Sequence, residues 1–270
     1  LKLYKVLRRT DSKLLSPFQD YEYEQDKEYI CENLDPDLSN DCSHGLYATG
    51  IDGIIYSFRN LPEYEVWEVE VGGRSVEIDQ FKRRYERIKL IRQVSHEEVK
   101  ELALAEEKKV GYKLAEALFP VNPLLVKRTG CSVTDEEIEL LRKWASVGAS
   151  VGASVGASVG DSVWASVRAS VRASVWASVW ASVWASVGAS VGDSVWASVR
   201  ASVGDSVWAY ISSLFPNITK WKYIDHPEGE NPFQPAITLW HKGFVPSFDG
   251  KTWRLHAGEK AEIVWSGEIR

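Results

Sequence analysis

The residues of this chain whose types and spacing could do chemistry gather near the N-terminus. His44-Gly-Leu-Tyr47 places an imidazole and a phenol in one short segment, and Tyr56 follows nine residues after Tyr47. Glu68 and Glu70 stand on an alternating stretch further on. As catalytic candidates, His44, Tyr47, Tyr56 and Glu70 could act only if folding brings them around one cavity. Cys31, Cys42 and His44 offer three metal-ligand types, but the cysteines are eleven residues apart, no CxxC occurs and a fourth ligand is missing. Asp35, Asp37 and Asp41 match a calcium loop in number only, without its Gly and closing Glu. GxxxxGK[ST], GxSxG and HExxH do not occur. No metal and no cofactor is therefore expected.

The stretch His44–Tyr56 resembles the nucleotide-binding segment of ADP-ribosyltransferase folds. In those folds a His opens the site, a Gly-x-Tyr strand and a later Tyr sandwich the nicotinamide, and a late-strand Glu orients the ribose. The resemblance implies those roles for His44, Tyr47, Tyr56 and either Glu68 or Glu70, although neither Glu sits in a recognisable motif. The competing reading makes His44-Gly45 a turn and the tyrosines core.

The element that must position everything else is an array from Ala145 to Trp208: sixteen unbroken copies of Ala/Asp-Ser-Val-Xaa. Ser and Val never vary, the first residue is Ala except at Asp161, Asp193 and Asp205, and Xaa is seven Gly, six Trp and three Arg. Fixed-period self-similarity signals stacked units that bury a core together. On an α-helix four residues turn ~400°, so the Val stripe drifts ~40° per repeat and wraps the cylinder. In an extended chain the same period keeps Ala and Val on one face and Ser and Xaa on the other. The pattern thus predicts a β-solenoid of tetrapeptide faces, with a long α-helix as the alternative. VGDSVWASVR recurs at Val159–Arg168 and Val191–Arg200, which in a four-sided coil stacks Trp164, Trp180 and Trp196 in a column. The fourth position would then face outward and vary freely, giving an interaction surface of Trp164, Arg168, Arg172, Trp176, Trp180, Trp184, Trp196, Arg200 and Trp208.

Composition bounds the rest. Residues 1–143 carry 22 basic and 28 acidic groups, the array three of each sign and residues 209–270 seven of each, so the net −6 lies in the N-terminal part. A neutral array is a poor phosphate-binding surface, and nucleic acid is not an expected partner. One array residue in four is Ser, too polar for a membrane span, and no signal-peptide pattern is visible. Three sparse cysteines suit a reducing compartment, so a cytoplasmic protein is expected. Methionine is absent and the chain opens with Leu1, which fits a missing start or a start codon read literally as Leu.

In chain order, Leu1–Arg9, Glu63–Val71 and Lys82–Arg92 read as strands, with Gly72-Gly73 as a hairpin turn to a partner at Ser75–Ile78. The acidic segment Asp20–Asp41 could face the basic Lys82–Arg92, and Gly50–Phe58 reads as helical. Ser95-His-Glu-Glu98 is a capping box opening a helix that continues to Leu118, and Thr134-Asp-Glu-Glu137 opens another that would cap the solenoid. A C-terminal module has a helix at Pro235–Lys242, a hairpin around Phe248–Lys251 and a strand Ala261–Trp265, with Trp221, Trp240, Trp253 and Trp265 as core. The fold class is an α+β domain (1–130), a capping helix with the array (131–208) and a small α+β module (209–270).

The array flanked by TDEEIELLRKW and AYISSLFPNITKWKY, with the tail GFVPSFDGKTWRLHAG, resembles an uncharacterised family of bacteriophage and environmental prokaryotic proteins. The resemblance spans all three parts and implies a mobile-element origin, hence host cytoplasm or virion, without assigning catalytic residues. The expected function is a structural or interaction protein, the array serving as rigid spacer or self-association surface. The alternatives are an ADP-ribosyltransferase-like nucleotide-binding domain and a carbohydrate- or surface-binding Trp array.

Overall fold

A computed structural model describes residues 2–18, 20–39, 43–51, 53–54, 61–79, 82–128, 132–147, 151–159, 167, 171, 175–187 and 193–269. The chain divides into two units, Leu1–Glu107 and Lys108–Arg270. The boundaries expected at 130/131 and 208/209 both fall inside the second.

The first unit is a curled antiparallel sheet of seven strands. These are β1 (Leu3–Arg9), β2 (Leu14–Leu15), β3 (Glu22–Tyr23), β4 (Glu28–Ile30), β5 (Leu46–Ala48), β6 (Glu65–Glu77) and β7 (Arg83–Val94). The order is β3-β2-β1-β6-β7-β4, with β5 also on β7 and Thr49 bridged back to Tyr4 of β1. Leu7, Tyr23, Tyr29, Trp67, Ile88 and Leu90 fill its core. Helix α1 (His96–Val110) buries Val99 and Ala103.

Gly72-Gly73 does not turn the chain. β6 runs straight through it, and the register against β7 shifts between Gly72 and Ser75. Gly73 sits at φ 74, where a Cβ would collide with Glu86 Oε2, the atom that accepts the Arg74 amide. The two glycines make a bulge rather than a hairpin, because only glycine fits the left-handed backbone pressed against Glu86. The acidic segment does meet the basic strand: β4 pairs with β7, Asp35 Oδ2 is 3.4 Å from Arg84 Nη1, and Asp26 is 3.8 Å from Lys89.

The helix expected to run from Ser95 to Leu118 is two helices. Gly111 at φ 76 ends α1, and α2 (Leu114–Leu118) restarts beyond it. Of the Ser95 capping box only the Glu98 N–H to Ser95 Oγ bond forms, since the Glu98 carboxylate is drawn to Arg92. At Thr134 both bonds of the box form, opening α3 (Asp135–Ala145).

The array is not a β-solenoid. Its described residues form α4 (Val151–Val159), α5 (Ala177–Val187) and α6 (Asp193–Ser212). Within the described stretches of two or three repeats, α4 and α5, the drift of the Val stripe stays inside an apolar arc ~100° wide. The longer α6 packs on α4, on α7 (Gln234–His241) and on strand β8 (Val245–Phe248), so a wandering stripe still meets a neighbour. Val151, Val155, Val179, Val183, Val199, Val203 and Val207 are all buried. Serine, a weak helix former, is accommodated by donating to the preceding turn: Ser158 to the Ser154 carbonyl at 2.7 Å, Ser202 to Val199 at 3.0 Å and Ser206 to Ser202 at 3.0 Å.

β8, β9 (Trp253–Ala257) and β10 (Glu262–Gly267) form a three-stranded sheet at the C-terminus. Trp221 and Trp240 are buried, while Trp253 and Trp265 stay partly exposed. α3 packs against α7 in this unit and caps no solenoid.

Candidate interaction surface

Several described repeats contribute a buried Val, and Ser158, Ser202 and Ser206 bond to the preceding turn, while among the described residues Ser154 Oγ is buried without a partner; this leaves the fourth position to decide what the helices meet. At Gly152 that position is not free to vary. A Cβ on Gly152 of α4 would sit 2.9 Å from Trp208 Nε1 of α6, and one on Gly204 of α6 would sit 3.4 Å from the Trp176 ring. At Gly152 glycine makes the hollow that Trp208 fills, whereas at Gly204 a Cβ would only reach ordinary contact with Trp176. The expectation of interchangeable outward residues is corrected at Gly152.

The remaining tryptophans are arranged along one helix. Trp176, Trp180 and Trp184 stack in series, with ring centroids 6.2 and 5.9 Å apart and planes within 13° and 24°. All three are half-buried. These contacts run at i, i+4 because this stretch is helical; the ladder expected through Trp164, Trp180 and Trp196 involves side chains outside the described residues. Trp164, Arg168 and Arg172 lie outside the described residues, as does the side chain of Trp196; Arg200 is exposed on α6. Asp205 replaces the usual Ala of its repeat, and burial among the helices pushes its carboxyl up to about 6.

The nucleotide-site candidates are not gathered. His44 is exposed, and its carbonyl accepts the Asp35 amide. The Tyr47 hydroxyl donates to the Ser43 carbonyl. Tyr56 lies outside the described residues. Tyr47 on β5 stands opposite Arg84, whereas Glu70 on β6 stands opposite Lys89, on the other side of β7. Five residues along a strand separate these levels by about 17 Å, too far for one nicotinamide ribose. Glu68 is engaged by Lys2 at 3.2 Å and Arg92 at 2.8 Å. Cys31 is a free thiol, Cys42, Asp41 and Cys131 lie outside the described residues, and among the described residues no three metal-ligating side chains converge.

Three polar groups are placed where sequence reasoning did not look. Lys5 is buried inside the curled sheet, its ammonium donating to the Tyr47 carbonyl at 3.0 Å and lying 4.7 Å from the Tyr23 ring centroid. Burial lowers its pKa to about 8. The signal that could have found it is the alternation of LYKVLRR, which puts Lys5 in line with Leu3 and Leu7. Arg84 is fully buried, with Nη2 donating to the Asp37 carbonyl. In the second unit Tyr210 stacks on Trp240 at 5.3 Å and accepts the Val121 amide at 3.0 Å, while Trp240 Nε1 donates to the Val121 carbonyl at 2.9 Å. Glu116 lies alongside, 3.9 Å from His241 Nε2 and 3.4 Å from Lys113 Nζ. This cluster pins the connector around Val121.

Comparison with known protein families, characterised proteins and solved structures returned no match.

Proposed function

We propose that this chain is a structural interaction protein, in which the repeat helices form the frame of the second unit and the Trp ladder of α5 binds a second copy of the chain. The observation that carries this reading is that repeats already recognise one another within the chain, Trp208 filling the hollow at Gly152 and Trp176 lying in contact with Gly204. A second copy presents the same tetrapeptide hollows and knobs. The half-buried ladder offers three aligned rings, each aromatic pair contributing about 0.5–1.5 kcal/mol beyond its burial. Pairing of an identical surface on both partners closes as a dimer. The neutral array favours such contacts over nucleic acid. The resemblance to bacteriophage proteins supports a cytoplasmic or virion assembly; no described helix is long and apolar enough to cross a membrane.

Sedimentation velocity across a wide concentration range is the test. The full chain should show a concentration-dependent dimer, and Trp180→Ala with Trp184→Ala should shift it to monomer while the circular dichroism spectrum keeps its helical form. A chain that stays monomeric throughout, or a dimer indifferent to both substitutions, sinks the proposal.

A further inference from the structure

A second feature of the C-terminal unit lies away from the Trp ladder. The segment between α6 and α7 folds into a closed loop whose neck is tied by the Gly229 amide to the Thr219 carbonyl at 2.9 Å. Inside it, the buried His226 braces the tip. Its Nε2 accepts the Trp221 amide at 2.9 Å, its Nδ1 faces the Pro227 carbonyl at 2.7 Å, and its own carbonyl takes the Lys220 ammonium at 2.5 Å. The Lys222 amide donates to Ser158 Oγ of α4 at 3.0 Å, which fixes the loop to the repeat helices. The tip that results is Tyr223-Ile224-Asp225.

Tyr223 is held at φ 63 and is 72% exposed. A large side chain kept in left-handed backbone, with its ring left to solvent, is a local cost that packing does not explain, and such costs concentrate where ligands bind. The tip borders a cavity of about 330 Å³, lined by Ser146, Val147, Tyr223, Ile224, Asp225 and Pro232. That is the size of a small-ligand or single-side-chain site.

The chemistry of the lining selects one class of ligand. Among the described residues, Asp225 makes no hydrogen bond or ion pair, so its carboxylate is available. Ser146 caps the C-terminus of α3, so the negative pole of that helix dipole points to the same place. Tyr223 supplies an aromatic face, and Val147, Ile224 and Pro232 supply apolar walls. A carboxylate, a helix C-terminus and an exposed aromatic ring all favour a cation, and the apolar walls suit an alkyl stem. Glu228 and Glu230 add negative charge on the same loop and Arg142, Lys143 and Lys222 add positive charge nearby, all on exposed side chains, while the Lys220 ammonium is held by the His226 carbonyl. We propose that this cavity binds the side chain of a lysine or arginine presented by a peptide partner.

The test uses the full chain labelled with nitrogen-15 and four probes: the Nα-acetyl methylamides of lysine, of arginine, of glutamate and of norleucine, the last keeping the stem without the charge. The lysine and arginine probes should shift the amide resonances of residues 146–147 and 223–225 to saturation, and norleucine should bind about tenfold more weakly or not at all. Asp225→Asn should weaken the cationic probes about tenfold. Tyr223→Gly should weaken them too, and it keeps the loop because glycine is at ease at this φ. Equal binding of norleucine, stronger binding of an acetyl-glutamate probe, an unaffected Asp225→Asn variant, or no saturable binding would each overturn the assignment.

Discussion

Replacing Asp205 by alanine restores the residue that stands first in thirteen of the sixteen repeats, and the structure says what this should do. The carboxyl of Asp205 is driven from 3.8 up to about 6 by burial, with no ion pair to a cation among the described residues. A raised carboxyl pKa means that the folded state takes up a proton before the unfolded chain does. Stability contributed by this group therefore increases as pH falls from about 6 to about 4, and at neutral pH the ionised carboxylate is a penalty. A rise of this size corresponds to about 3 kcal/mol, and partial access to water brings the expected figure nearer 2 kcal/mol. Alanine adds about 0.5 kcal/mol through helix propensity. In urea unfolding followed by circular dichroism, Asp205→Ala should raise the midpoint at pH 7 by about 1 M, and at pH 4 by only the small propensity part. Asp205→Asn should act in the same direction, less strongly. An equal gain at both pH values would show that the charge is not the cause, and a loss at pH 7 would show that the carboxylate has a partner.

Other outcomes follow from the same unit. His256 is fully buried, its Nε2 2.8 Å from Ser247 Oγ and its Nδ1 3.0 Å from the Ala261 carbonyl, and burial lowers its pKa to about 4. A base with a lowered folded pKa costs stability as pH falls from 6.5 to about 4, here by about 3 kcal/mol, because the unfolded chain protonates first. This slope opposes that of Asp205, so acid unfolding should steepen in Asp205→Ala and flatten again when His256→Gln is added. Gly152→Ala should destabilise by about 1–3 kcal/mol through overlap with Trp208, read as a lowered urea midpoint, and Trp208→Ala in the same chain should relieve most of that cost.

What the sequence made legible was local. β1, β7, the Thr134 cap, the stop at Gly243 and the C-terminal hairpin each rest on one short signal: alternation, a capping box, or a glycine at positive φ. The array defeats pattern reasoning because period-two alternation and a drifting helical stripe both account for a Val at every fourth position. The Gly72-Gly73 turn fails for a related reason, since the residue that makes it a bulge, Glu86, lies on another strand. The nucleotide-site candidates are near in sequence but are sorted to different sides of β7. The pocket at Tyr223 has no sequence signal, because it depends on His226 folding the loop back on itself.

The knob-and-hollow matching of Gly152 with Trp208 also bears on how such an array can change over generations. Arrays of identical units gain and lose copies readily. One unit more within a helix advances everything beyond it by about 6 Å and turns it by ~40°, so Trp208 would no longer meet the hollow at Gly152. Copy number and the order of Gly and Trp are therefore inherited together, and a lengthened array regains its fit only by rewriting its fourth positions.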